Sequence, residues 1–176
     1  MNDNLDPRLQ FIFGRRSIRR FAPGEVGDAA IAKLLQAAMA APSAAATDPW
    51  RFVVVRRRET LNKLAAALPY GGMLAQASAG FVVCGDLEAA HDRQLSYLLQ
   101  DCSAAIENLL LCAHALGLGG CWLGVHPRED RVAKLKAIFA LPPSVIPVSA
   151  VAIGLPAESK EARTRFNPAY VHQETW

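Results

Sequence analysis

Apolar positions along the chain fall into short blocks of changing period, and each block predicts an element. Leu9, Ile12 and Phe13 recur at helical spacing after Asp6-Pro7, a capping residue with proline at the first helical position, and Gly14 or the arginines that follow end that helix. A second helix is expected from Asp28 as its cap, with Ile31, Leu34, Leu35, Ala38 and Met39 on one face and Pro42 stopping it. After the small-residue loop APSAAATDPW, the Val-rich run at 51–57 predicts a strand and 58–68 a charged amphipathic helix. Pro69 and Gly71-Gly72 mark a turn before a second strand at 79–86. The longest block, 91 to about 116, is amphipathic at first and apolar nearly all round from Ala104 onward, broken by Glu107, Asn108 and His114. A helix apolar on every side must be covered on every side. GCWLGV then predicts a strand, DRVAKLKAIFA a surface helix and VIPVSAVAIG the last strand. The tail from Pro156 is polar but carries Phe166, Tyr170, Val171 and Trp176, residues that call for something to dock on.

Strands and helices thus alternate with no internal repeat or linker, so one α+β domain over 1–176 is expected. With 176 residues and 52% hydrophobic content the chain can build a real core. The most apolar stretch, 109–125, contains His114 and four glycines and falls short of the roughly 20 residues that span a bilayer. The N-terminal MNDNLDPRLQ has no basic region leading into an apolar core, so no secretory signal is expected. Cys84, Cys102, Cys112 and Cys121 sit in apolar contexts with no C-x-x-C pair, which reads as buried free thiols in a reducing cytoplasm. No metal site is expected. His91, His114, His126 and His172 are scattered, without acid–base partners at a telling spacing.

One local feature stands apart from this background. Arg15, Arg16, Arg19 and Arg20 are packed around Ser17 in GRRSIRRF, although the net charge is only +3. That near-neutral balance argues against nucleic acid as the partner. In an extended segment Arg15, Ser17 and Arg19 project to one face and Arg16 and Arg20 to the other. Guanidinium forks flanking a hydroxyl suit a phosphate; the plain alternative is a solvated basic turn. G-L-G-G-C-W at 117–122 is not a dinucleotide fingerprint, since it leads into a strand and not a helix.

A short helix, then R-R-S-x-R-x-F at 15–21, then P-S-x-x-x-x-x-P-W at 42–50, resembles the FMN-dependent nitroreductase family. The likeness continues in QDCSAAIENLLLCAHALGLGGCWLG (100–124) and RFNPAYVHQETW (165–176), and so runs through nearly the whole chain in the family's order. The resemblance implies a three-layer α-β-α sandwich with a mixed, mainly antiparallel sheet, in an intertwined homodimer whose tails, here 156–176, dock on the partner. It implies that Arg15, Arg16, Ser17 and Arg19 bind the phosphate, ribityl chain and pyrimidine edge of FMN, with Arg163 and Arg165 completing the phosphate site. Pro42, Ser43 and Ala44 correspond to the loop that packs on the flavin from the other subunit. Leu123 and Gly124 correspond to the strand end whose backbone approaches flavin N5, and Tyr70 lies near a position that reaches the pyrimidine edge.

The implied activity is reduction of an electron-poor acceptor, such as a nitroaromatic or quinone, by NADH or NADPH in a ping-pong hydride mechanism. No protein side chain need serve as nucleophile, because the flavin carries the chemistry. Flavin fragmentation, dehalogenation and flavin binding without turnover remain open on the same fold. The chain departs from the family pattern P-S-x-x-N-x-Q-P-W at Ala46 and Asp48. Losing one hydrogen bond there costs on the order of 1 kcal/mol, with Thr47 or a water as substitutes.

Overall fold

In the computed structural model, which describes residues 6–176, one sheet lies between two helical layers. The elements follow in the order α1 (Pro7–Gly14), β1 (Phe21–Ala22), α2 (Asp28–Met39), β2 (Trp50–Val55), α3 (Arg58–Ala67), β3 (Ala79–Asp86), α4 (Leu95–Ala115), β4 (Gly119–Gly124), α5 (Glu129–Phe139) and β5 (Val145–Pro156). The last strand organises the sheet. It pairs with β3 along 145–153, with β4 along 149–154 and with β1 at its end, and β3 pairs in turn with β2. All four ladders are antiparallel. The parallel component of the expected mixed sheet is confined, among the described residues, to a bridge between Ser17 and Gly120.

The period-2 alternation of side chains sends the same strands into two cores. Phe81, Val83, Val151 and Ile153 pack with Leu34, Leu98, Ile106 and Leu109 of α2 and α4. Val82, Cys84, Ala150 and Ala152 pack with Leu61, Leu64 and Leu135 of α3 and α5. The run AGFVVCG in β3 is buried throughout because helices cover both its faces. Contact there is close: a Cβ on Gly85 would fall inside the Leu98 side chain.

Some expectations change in detail. Gly27, not Asp28, caps α2; Asp28 is its first residue, where its carboxylate favours the helix dipole and pairs with Arg56. Met39, expected on the inner face, is 51% exposed. The long helix starts at Leu95, not 91, because Asp92 and Arg93 take positive φ and leave 91–93 as a separate 3-10 turn. The strand expected at 51–57 closes at Val55, since extended Arg57 already caps α3.

No residue from Asp101 to His114 of α4 is exposed. The four thiols are free; Cys84, Cys102 and Cys121 are buried, whereas Cys112, expected inside, is half-buried. Burial pushes Cys84 and Cys102 up to about 12, which makes them inert thiols. Helix α1 buries no residue, and Leu9 and Ile12 of its apolar stripe stay open. Phe166, Tyr170, Val171 and Trp176 of the tail are likewise exposed. No described helix is long and apolar enough to cross a membrane.

Candidate functional site

The arginine segment lies across the end of the sheet. Ile18 N–H donates to Gly120 O at 2.9 Å and the Ile18 side chain is buried, which anchors the segment on β4. Ile18 is the one buried residue between Gly14 and Arg20, so the arginines surround the anchor. Arg15, Arg16 and Ser17 are half-buried, and Arg19 and Arg20 exposed.

Two cavities open on either side of this segment. The larger, about 550 Å³, is within the range of small-molecule sites. Arg19 enters it from the segment, Tyr70 and Met73 from the turn after α3, and Cys121 to Gly124 form its β4 wall. It brings together Arg19, Tyr70, Leu123 and Gly124, four of the residues singled out from sequence. It also adds Trp122, Met73, Gly72 and Cys121, which sequence reasoning passed over. Trp122 was readable in GCWLGV as the one bulky residue that a two-faced strand need not bury, and it is 37% exposed here. Among the described residues that line it, Arg19 is the cation and none is a carboxylate.

Gly72 and Gly124 both face this cavity with open space where a Cβ would stand, and neither has positive φ. Nothing in the chain itself demands glycine at either place. Such a pair of bare positions leaves room for a flat group to lie against the backbone.

The smaller cavity, about 300 Å³, is lined by Arg15, Arg16, His114 and Lys160 among others. Its cations are held in place by the protein. Arg15 Nε pairs with Glu107 at 3.1 Å, the Arg16 guanidinium donates to Glu161 O, and Lys160 Nζ donates to Ser17 O at 2.6 Å. His114 stacks on Phe11 with ring centroids 5.2 Å apart. Arg163 reaches the same neighbourhood, since its N–H donates to Phe13 O at 3.0 Å, and Arg165 is exposed two residues on. Glu158 also lines this cavity, where hydrogen bonds from the Arg19 backbone, together with Lys160, hold its carboxyl down to about 2.

Pro42, Ser43 and Ala44 line neither cavity within the chain. They sit in a separate loop that carries three non-glycine residues at positive φ, Ala45, Ala46 and Asp48. Each such residue costs roughly 1–2 kcal/mol, so the loop is held by specific contacts. The Ser43 hydroxyl donates to Asp48 Oδ1 at 2.5 Å and accepts the Asp48 N–H at 3.0 Å. Ala44 N–H donates to buried Asp101 at 2.9 Å. The Thr47 hydroxyl turns back and donates to Ala44 O at 3.1 Å.

Known proteins of the same shape give this arrangement its context. The family model described as Nitroreductase family matches residues 12–69 and 66–155. A protein of Archaeoglobus fulgidus, provisionally named NADH dehydrogenase/NAD(P)H nitroreductase, is 45% identical over 98% of this chain and all of its own length. A crystal structure from Parabacteroides distasonis with the same provisional name superposes with a TM-score of 0.91 at 33% identity, covering 98% of this chain and 100% of that one. A provisionally named nitroreductase from Desulfovibrio desulfuricans, solved in complex with FMN, gives a TM-score of 0.84 at 32% identity, with 98% and 99% covered. A three-layer fold matched almost end to end, and a family model matched over most of the chain, lead to one conclusion: the chain belongs to the nitroreductase family.

Proposed function

We propose that the protein is an FMN-dependent oxidoreductase that takes hydride from NADH or NADPH and delivers it to an electron-poor acceptor such as a nitroaromatic or a quinone. The observation that carries this reading is the pair of open glycines, Gly72 and Gly124, on the one cavity where Arg19, Tyr70 and Leu123 meet. When bound, FMN supplies the ring nitrogen that accepts and returns the hydride. The chain's own residues do the holding. Arg15, Arg16 and Ser17, with Arg163 and Arg165, fit the phosphate, and Arg19 and Tyr70 fit the polar edge of the ring. Leu123 and Gly124 would offer the β4 backbone to the ring, with Trp122 beside them on the same wall. A cavity whose described lining holds a cation and no carboxylate favours acceptors that gain negative charge on reduction.

The functional unit in this reading is a homodimer. Leu9, Ile12, Phe166, Tyr170 and Trp176 leave the single chain with apolar surface on α1 and on the tail, and a second copy covers both. The same docking carries Pro42, Ser43 and Ala44 to the partner's flavin. Free thiols suit a reducing cytoplasm.

The test is turnover by FMN-loaded protein under nitrogen. NADH or NADPH oxidation should depend on a nitroaromatic or quinone and give parallel double-reciprocal lines, because nicotinamide leaves before the acceptor enters. Flavin-loaded protein that oxidises neither nicotinamide with any such acceptor would contradict it.

A further inference from the structure

The arginine segment and the root of the tail, far apart in sequence, run side by side and are bound to each other beyond the β1–β5 ladder. In the β1–β5 ladder Phe21 faces Pro156 and Ala22 faces Leu155. The pairing does not stop where the ladder does. Ala157 N–H donates to Arg20 O at 2.9 Å, and Glu158 meets Arg19. The Arg16 guanidinium donates to Glu161 O, and Arg163 N–H donates to Phe13 O at 3.0 Å. From Arg20 to Arg16 each step back along the arginine segment is matched by a step forward along the tail from Ala157 to Glu161, and the Arg163 bond to Phe13 is shifted by one residue.

At Arg19 the acceptor is a side chain and not a carbonyl. Glu158 Oε1 takes the Arg19 N–H at 2.6 Å and the Arg20 N–H at 3.3 Å. The same carboxylate lies 3.3 Å from Lys160 Nζ and 3.4 Å from Arg20 Nε, and its side chain is 12% exposed. Lys160 in turn donates to Ser17 O. By charge alone, a carboxylate among these cations works against an anionic ligand. Its hydrogen bonds give it a different task. It accepts two backbone N–H groups that no strand carbonyl takes, at the residue whose side chain enters the larger cavity.

We propose that Glu158 is a positioning residue for the flavin site: its carboxylate pins the Arg19 backbone, which aims the Arg19 side chain into the larger cavity, and holds Lys160 against Ser17. This rests on the flavin reading above for its consequence, and on the hydrogen bonds alone for its mechanism. Two readouts therefore separate the two: amide hydrogen exchange across 15–20 without ligand, and FMN affinity from the quenching of flavin fluorescence.

In Glu158→Ala the Arg19 and Arg20 amides should exchange at least ~10-fold faster than in the parent protein, and the FMN Kd should rise about 10-fold or more, as for loss of a charged hydrogen bond. Glu158→Gln retains an oxygen that accepts the N–H and should recover most of both. Lys160→Met leaves the Arg19 N–H bonded, so exchange there should match the parent. Parental exchange and affinity in Glu158→Ala would overturn the proposal. So would Glu158→Gln behaving like Glu158→Ala, which would assign the effect to charge. If Glu158→Ala fails to fold, Glu158→Gln and Lys160→Met decide: protection from exchange lost at Arg19 in either overturns the pin, and protection kept in both supports it. If the parent protein refuses FMN, the flavin reading fails, while the exchange comparison still decides whether Glu158 pins Arg19.

Discussion

Gly124→Leu should leave the fold unchanged and remove flavin binding. Space is open where a Cβ at 124 would stand, the residue is exposed at the end of β4 and its φ is not positive, so the chain accommodates a side chain there without strain. A leucine would then occupy the floor of the larger cavity, where the proposed ring lies against the backbone. The expected result is a thermal midpoint within a degree or two of the parent, since surface changes of this kind usually fall within about 0.5 kcal/mol. FMN affinity should drop roughly 100-fold or more, about 2.7 kcal/mol. Gly85→Ala makes the comparison. Its Cβ would collide with Leu98 in the core, so it should lower stability by about 1–3 kcal/mol while FMN binds normally to whatever remains folded. Equal FMN affinity in Gly124→Leu and parent, measured by fluorescence titration, would show that nothing approaches β4 there.

Removing residues 164–176 should be almost silent for the single chain and severe for the assembly. The deleted segment buries no side chain of its own, and Phe166, Tyr170 and Trp176 are 74%, 80% and 100% exposed. The hydrogen bonds that tie the tail root to the arginine segment end at Arg163 and survive the cut. Light scattering should therefore report a monomer in place of a dimer. FMN affinity should fall at least ~10-fold, because Arg165 and the partner's loop at 42–44 are both lost to the site. A truncated protein that stays dimeric and holds FMN as the parent does would refute the docking role of the tail.

Both predictions use features that differ in how far the sequence discloses them. The run AGFVVCG announces a strand buried on both faces, and Asp6-Pro7 announces the start of α1, because each signal is local. Asp28 misleads, since Gly27 is extended and takes the cap position instead. β1 has only two residues, too short to show any period, and it exists because β5 runs on to meet it. The arginine run was visible at once. Its pairing with Glu158 was not, because the two lie about 140 residues apart and the bond is made by a side chain that no strand pattern marks. Gly72 read only as part of a turn, and Gly124 gained meaning from family likeness; the open space beside each is a property of the folded chain. Pro42, Ser43 and Ala44, like Gly124, gained meaning from family likeness alone, since within the single chain they line neither cavity.

The most direct measurement is the visible absorption spectrum of the protein incubated with FMN and passed through a desalting column, followed by anaerobic addition of NADPH or NADH. The protein should emerge yellow with one FMN per chain, its flavin absorption bleaching on addition of one of the two nicotinamides and returning with a nitroaromatic or quinone. A colourless protein that lets FMN pass would contradict the flavin reading, and would mean that the cavity around Arg19, Leu123 and Gly124 is shaped for something other than a flavin.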